Sequence, residues 1–145
     1  MRIRKLKAAL IGGLILALGA VLWGAESDVV VIVSRESAVT SLTRDQIADL
    51  FLGKLNRLPG GEKAVPLDQP EGSAVRNSFY SGFAGKTAAQ VKAHWSKIIF
   101  TGRGQPPAQV PDGPTARRRV AEDPGAIAYI ERALADETVR IVSDQ

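Results

Sequence analysis

The sequence predicts one α/β domain in which helices cover both faces of a mostly parallel sheet, a three-layer sandwich. Three observations predict it. The run 28–33 is continuously apolar and β-branched after its first residue, which is typical of a strand buried on both faces. Segments with apolar residues three and four positions apart follow it, and this spacing predicts helices. Two more predicted strands, the apolar run 126–130 and the β-branched segment 139–142 with Arg140 in it, show that strands and helices alternate along the chain.

The first helix and the strand after it are predicted by local signals. Thr43 is placed to cap a helix, because its hydroxyl can accept from a backbone N–H of the first turn. The apolar face of this helix and the glycine that ends it are Ile47, Leu50, Phe51 and Gly53. A turn at 59–61 leads into a short strand over 63–67. We place this strand at a sheet edge, because Pro66 has no N–H to donate.

Three further helices are expected before the last two strands. One opens at Gly72-Ser73, one is capped by Thr87, and one covers 115–122. The apolar faces of the first two are Val75, Phe79 and Phe83, then Val91, Trp95, Ile98 and Ile99. Residues 101–114 are rich in Gly and Pro and are predicted to be a loop.

The net charge of +4 belongs to a leader and not to the domain. Residues 1–25 contain four basic residues and no acidic one, whereas residues 26–145 contain 15 of each sign. A basic start followed by a short apolar run is typical of a secretory signal, although an uncleaved membrane anchor remains the alternative. We therefore expect a periplasmic protein, with membrane contact only through residues 1–25. A neutral body does not predict nucleic-acid binding.

The residues needed for catalysis or metal binding are missing from the sequence. There is no cysteine, and His94 is the only histidine, placed in the middle of a predicted helix. No nucleophile motif, phosphate loop or His-rich metal spacing occurs. Arg117, Arg118 and Arg119 form the densest basic patch, but side chains about 100° apart on a helix cannot form one anion clamp. We expect no enzyme, no metal and no cofactor.

The segment 68–79 is the most informative for function. A strand ends, a Gly-Ser turn follows, and a helix begins, which presents free backbone N–H groups to an anion. Ser73 can add a hydroxyl and Arg76 a guanidinium. The alternative is that Ser73 is only an N-cap and Arg76 only a surface side chain.

Several segments together resemble the phosphate-binding proteins of ABC transporters, which have the type 2 periplasmic binding protein fold. Residues 42–53, Leu-Thr-Arg-Asp-Gln-Ile-Ala-Asp-Leu-Phe-Leu-Gly, are similar to a family motif almost position for position. The Gly72-Ser73 helix start with Phe79, the helical Trp95, and Pro-Gly-Ala-Ile-Ala-Tyr at 124–129 are similar to later family segments. The resemblance covers about residues 28–142.

The resemblance implies one lobe of a receptor that normally has two. It carries Ser73 over as a phosphate ligand, whereas Ala74 and Val75 replace the family's Gly and Thr, and the family's preceding Arg is not evident. The expected site is Gly72, Ser73, Ala74, Val75 and Arg76.

Two functions follow from this resemblance. The first is an exported solute-binding-like protein that binds phosphate or another small oxyanion weakly, alone or completed by a second lobe or a second copy of the chain. The alternative is an envelope protein-interaction module on the same fold that has lost the ligand.

Overall fold

The computed structural model describes residues 28–144 as five strands and four helices around one sheet. The strands are β1 (Val29–Ser34), β2 (Val65–Asp68), β3 (Ala108–Gln109), β4 (Ala126–Glu131) and β5 (Val139–Asp144). The helices are α1 (Arg44–Phe51), α2 (Ala74–Ala84), α3 (Ala88–Phe100) and α4 (Gly113–Glu122), with a short 3-10 helix at Arg132–Leu134. The prediction of a signal peptide or anchor over 1–25 lies outside the described residues.

The sheet has the order β3-β2-β4-β1-β5. Strand β2 is parallel to β3 and β4, whereas β1 is antiparallel to both β4 and β5. Four of the five strands therefore point the same way and only β1 runs against them, which confirms the mostly parallel sheet. Strand β1 is fully buried along its length, as its β-branched run predicts.

Alternate residues of β1 face two separate apolar cores, which is the three-layer arrangement. Val29, Val31 and Val33 face a core built with α1, α2 and α3. Val30 and Ile32 face a second core that α4 covers through Ala116 and Val120. This alternation follows from the two-residue period of a strand. Within residues 28–144, no helix is both long enough and apolar enough to cross a bilayer.

The position predicted for β2 at a sheet edge is wrong. The two-residue strand β3 lies outside it, within the segment 101–114 that was predicted to be all loop. The N–H of Val65 donates towards β4, so the nitrogen of Pro66, one residue on, points to the other side. Strand β3 pairs only with Leu67 and Asp68, and Pro66 therefore needs no donor there.

Two smaller expectations about the helices also change. Helix α4 begins at Gly113, because Asp112 accepts from the N–H of Thr115 and Pro114 lies in the first turn. Ile99 was placed on the apolar face of α3 but is 49% exposed, whereas Val91 and Trp95 are buried. Thr43 and Thr87 are N-caps as predicted, and each also forms a capping box with the glutamine three residues on.

Gly53 lies at the contact between the end of α1 and helix α3. Its φ is +75°, and an added Cβ would lie 2.8 Å from the Trp95 ring. Gly60 also has positive φ, +101°, but open space around it. We expect Gly53→Ala to lower the free energy of unfolding by about 1–3 kcal/mol more than Gly60→Ala, because only the first must also displace a buried ring.

Denaturant unfolding of both variants measures this difference. Equal losses of stability would mean that the glycine-to-tryptophan contact has no energetic importance and that only the backbone conformation matters.

Candidate functional site

The predicted site lies at the start of α2, where the chain leaves the carboxyl end of β2. Residues 69–73 form the connection, and the N–H of Ser73 donates to the carbonyl of Pro70 at 3.1 Å. Gly72 has φ +90°, a conformation that favours glycine, and it turns the chain into the helix. Gly72 and Ala74 are exposed, and Ser73 and Val75 are half-buried. The helix start is therefore at the molecular surface.

Three backbone donors at this surface are unused. Within residues 28–144, no hydrogen bond uses the N–H of Gly72, Ala74 or Val75. The first N–H groups of a helix have no partner inside it, and they carry the positive end of the helix dipole. These three donors are chemically suited to an anion.

Ser73 acts as the N-cap of α2. Its hydroxyl oxygen accepts from the N–H of Arg76 at 3.2 Å. A hydroxyl that accepts in this way still has its own hydrogen to donate. Capping and ligand binding are therefore compatible at this residue.

Arg76 is not a surface side chain, because it forms a buried ion pair. Its Nε donates to Asp68 Oδ1 at 3.3 Å, and the two side chains are 8% and 3% exposed. The guanidinium carbon lies 5.1 Å from the centre of the Tyr80 ring. The structure brings Arg76 into the same turn as Ser73 but directs its charge inward, to a carboxylate at the end of β2.

Asp68 also accepts from both tyrosines of the chain. Tyr80 donates to Oδ2 at 2.8 Å, and Tyr129 donates to Oδ1. The backbone N–H of Gln69 contacts Asp68 Oδ1 and Tyr129 Oη, each at 3.0 Å. We call Asp68, Arg76, Tyr80 and Tyr129 the Asp68 cluster.

Each member of the Asp68 cluster is positioned by regular structure. Arg76 and Tyr80 are four residues apart on α2, so they lie on one face of the helix. Leu67 pairs with Ala128, which places the next residues of β2 and β4, Asp68 and Tyr129, side by side. Phe79 stacks on the Tyr129 ring, with centroids 4.0 Å apart and planes 6° apart.

The cluster changes the acidity of its two phenols. Burial, together with the negative charge of Asp68 and its hydrogen bonds, raises the pKa of Tyr80 and of Tyr129 far above their usual range. Both hydroxyls therefore remain donors to the carboxylate at neutral pH.

The other residues considered at the sequence level have structural contacts. His94 Nε2 donates to the carbonyl of Leu52 at 2.8 Å, which joins α3 to the end of α1. Arg117 contacts Leu134 and Asp136, whereas Arg118 contacts Thr115. Among residues 28–144, no three acidic or histidine side chains are grouped so that they could hold a metal ion.

Several solved structures share this fold. An ABC-type phosphate transport receptor from Vibrio cholerae matches at TM-score 0.63 and 17% identity, over 80% of this chain and 45% of that one. A putative phosphate ABC transporter substrate-binding protein with bound phosphate, from Clostridium perfringens, matches at TM-score 0.63 and 22% identity, over 80% and 44%. PstS from Borrelia burgdorferi matches at TM-score 0.60 and 15% identity, over 80% and 46%.

The chain has the fold of about half of such a receptor. The resemblance inferred from the sequence motifs is confirmed at this level, and the chain spans less than half the length of each of these three structures. No family model matches the chain, and no curated protein matches its sequence. The structural matches therefore show the fold of this chain but not its ligand.

Asp68 is the residue that sequence reasoning missed. The signal available was a carboxylate that ends a short apolar strand, at the edge of the sheet where α/β proteins often bind ligands. Its partners are 8, 12 and 61 residues away. No local pattern links residues at such separations, and only the packing of α2 on β4 brings them together.

The buried ion pair of the Asp68 cluster should be important for the stability of the fold. We expect Asp68→Asn to lower the free energy of unfolding by about 3–5 kcal/mol, because it leaves the buried Arg76 charge without its partner. Asp28→Asn is the matched control, since Asp28 pairs with Arg132 at 2.6 Å where both side chains are exposed. The Asp28→Asn substitution should lower the free energy of unfolding by about 1 kcal/mol or less. Denaturant unfolding compares the two, and equal losses would contradict a central role for Asp68.

The raised pKa values of Tyr80 and Tyr129 make the stability of the protein depend on alkaline pH. Their pKa values are raised in the folded state, so the stability they contribute is fully present below the unfolded value near 10 and is lost as the pH rises above it. Because the chain has only these two tyrosines, tyrosinate absorbance of the whole protein reports on the cluster alone. We expect almost no tyrosinate at about pH 11 until the protein unfolds, and titration near pH 10 in denaturant.

Tyrosinate absorbance and circular dichroism, recorded together during alkaline titration, measure this. Ionisation with a midpoint near 10 and unchanged circular dichroism would contradict the cluster.

Proposed function

We propose that this protein is an exported, solute-binding-like lobe that binds phosphate or another small oxyanion at residues 72–76 and performs no catalysis. The observation that carries the proposal is the group of three free N–H donors, on Gly72, Ala74 and Val75, at an exposed helix start. The fold shared with phosphate receptors, one of them with bound phosphate, supports this choice of ligand. Ser73 would add its hydroxyl as a fourth donor.

Two features of the site argue that binding is weak. Arg76 is paired with Asp68 and contributes no free cation to the surface. Glu71 lies immediately before the donors, and its exposed carboxylate pairs only loosely with Lys92, at 3.8 Å. A carboxylate at a helix start uses the same dipole that an anionic ligand would use, so it opposes binding.

The proposal also covers the partners of the protein and its location in the cell. A second lobe, a second copy of the chain or an envelope partner would enclose the anion, because a single lobe leaves its ligand open to water. The basic and apolar leader supports export to the periplasm, with cleavage or anchoring as the two outcomes. A role beside an ABC transporter is the context that the resemblance suggests.

A second candidate is an envelope protein-interaction module that has lost the ligand. The buried pairing of Arg76 favours it, since that charge is unavailable to an anion. Phe100 also favours it, because this aromatic side chain is 93% exposed, beside the half-exposed Ile99.

An anion titration distinguishes the two candidates. We expect millimolar phosphate to shift the amide NMR signals of Gly72, Ala74 and Val75 in a saturable way, and chloride at equal ionic strength to have no such effect. Glu71→Gln should tighten binding about threefold, because it removes the competing negative charge at the helix start.

Glu137→Gln is the matched control, since Glu137 is an exposed acid before β5, at the opposite end of the sheet. It should leave the phosphate affinity unchanged. The absence of saturable shifts in both the native chain and Glu71→Gln would reject anion binding and favour the interaction module.

A further inference from the structure

A cavity separate from the start of α2 lies between the end of α1, helix α3 and the loop that follows it. Its volume is about 270 Å³, and its lining includes Leu52, Lys54, His94, Trp95, Ile98 and Arg103. None of the residues 72–76 contributes to it.

The lining carries positive charge without a carboxylate. Lys54 has its nearest acid, Asp49, at 3.9 Å, and the lysine side chain is 61% exposed. The Arg103 side chain makes no hydrogen bond or ion pair within the part of the chain that the structure describes. His94 also lines the cavity, and its Nε2–H donates to the Leu52 carbonyl. Two cations thus line a cavity whose own lining contains no acidic side chain; Lys54 is paired with Asp49 outside it, and Arg103 has no ion pair among the described residues.

Apolar side chains form another part of the cavity lining. Leu52 and Trp95 are buried, and Ile98 packs against the same core. Trp95 also has the one buried side-chain polar atom among residues 28–144 that has no partner, its indole Nε1. Because this atom is closed off from solvent, it is not part of the cavity wall, and Trp95 contributes its apolar ring to the lining.

We propose that this cavity binds a small organic carboxylate with an apolar body. The carboxylate would pair with Arg103 and Lys54, and the apolar body would lie against Trp95 and Ile98. The volume is just below the roughly 300–1,000 Å³ of drug-sized pockets, which limits the ligand to about the size of benzoate. Inorganic phosphate has no apolar part and does not fit this description, so the cavity is distinct from the oxyanion site proposed above.

Titration of the full-length chain with benzoate tests the proposal. The Trp23→Phe background leaves Trp95 as the only tryptophan, so the single indole N–H signal in NMR spectra reports on the cavity. We expect a saturable benzoate-dependent shift of this signal, and binding of benzamide, the uncharged analogue, at least about tenfold weaker.

Arg103→Gln should weaken benzoate binding about fivefold to tenfold. Arg119→Gln removes an exposed cation from a different surface, beside Val65 and Glu122, and should leave it unchanged. Arg103 is itself exposed, so its loss does not threaten folding, and circular dichroism verifies this. Lys54→Gln should also weaken benzoate binding, independently of Arg103→Gln.

Equal binding of benzoate and benzamide, equal effects of Arg103→Gln and Arg119→Gln, or no saturable shift would each overturn the proposal. Phosphate distinguishes the two sites, because it should shift the amides of 72–75 and fail to compete with benzoate. Competition by phosphate at the Trp95 signal would also overturn it.

Discussion

The buried carboxylate of Asp68 joins β2, α2 and β4. It ends β2, and it accepts hydrogen bonds from α2, through Arg76 and Tyr80, and from β4, through Tyr129. A buried ion pair requires good geometry and further hydrogen bonds to offset the cost of desolvation, and the two phenols supply them. Because whole domains are stable by only about 5–15 kcal/mol, a pair whose disruption costs about 3–5 kcal/mol governs the fold at this point.

The same interaction determines what kind of anion site the start of α2 can be. With Arg76 directed inward, the first turn of α2 presents backbone donors and one hydroxyl, and the exposed cation nearby, Lys92, is paired with Glu71. The body of the chain has no net charge, so no long-range field compensates for this. Recognition would rest on local dipoles, which suits a small oxyanion held loosely and completed from a second side.

Two exposed cations lie in a different region of the surface. Lys54 and Arg103 sit around the cavity beside Trp95, where apolar side chains adjoin them. The fold thus separates two chemistries, polar donors without charge at the start of α2 and charge with an apolar wall beside α3.

The sequence by itself determined the layers of this protein and the place of its helix starts. The β-branched run 28–33 requires burial on both faces, and Thr43, Ser73 and Thr87 are caps whose hydroxyls act within four residues. Such signals are local, so they can be read without a fold. Strand β3 could not be read in this way, because two residues have no periodicity and only the neighbouring β2 defines them.

The tertiary structure alone decided the role of Arg76. Its sequence context, the first turn of an exposed helix, fits a surface side chain or an anion ligand equally well. Its actual partner is a carboxylate on another element, and the choice depends on how α2 packs over β2 and β4. Side-chain direction and burial arise from contacts between distant segments, and for this reason the sequence located the candidate site while only the fold showed which of its charges are free.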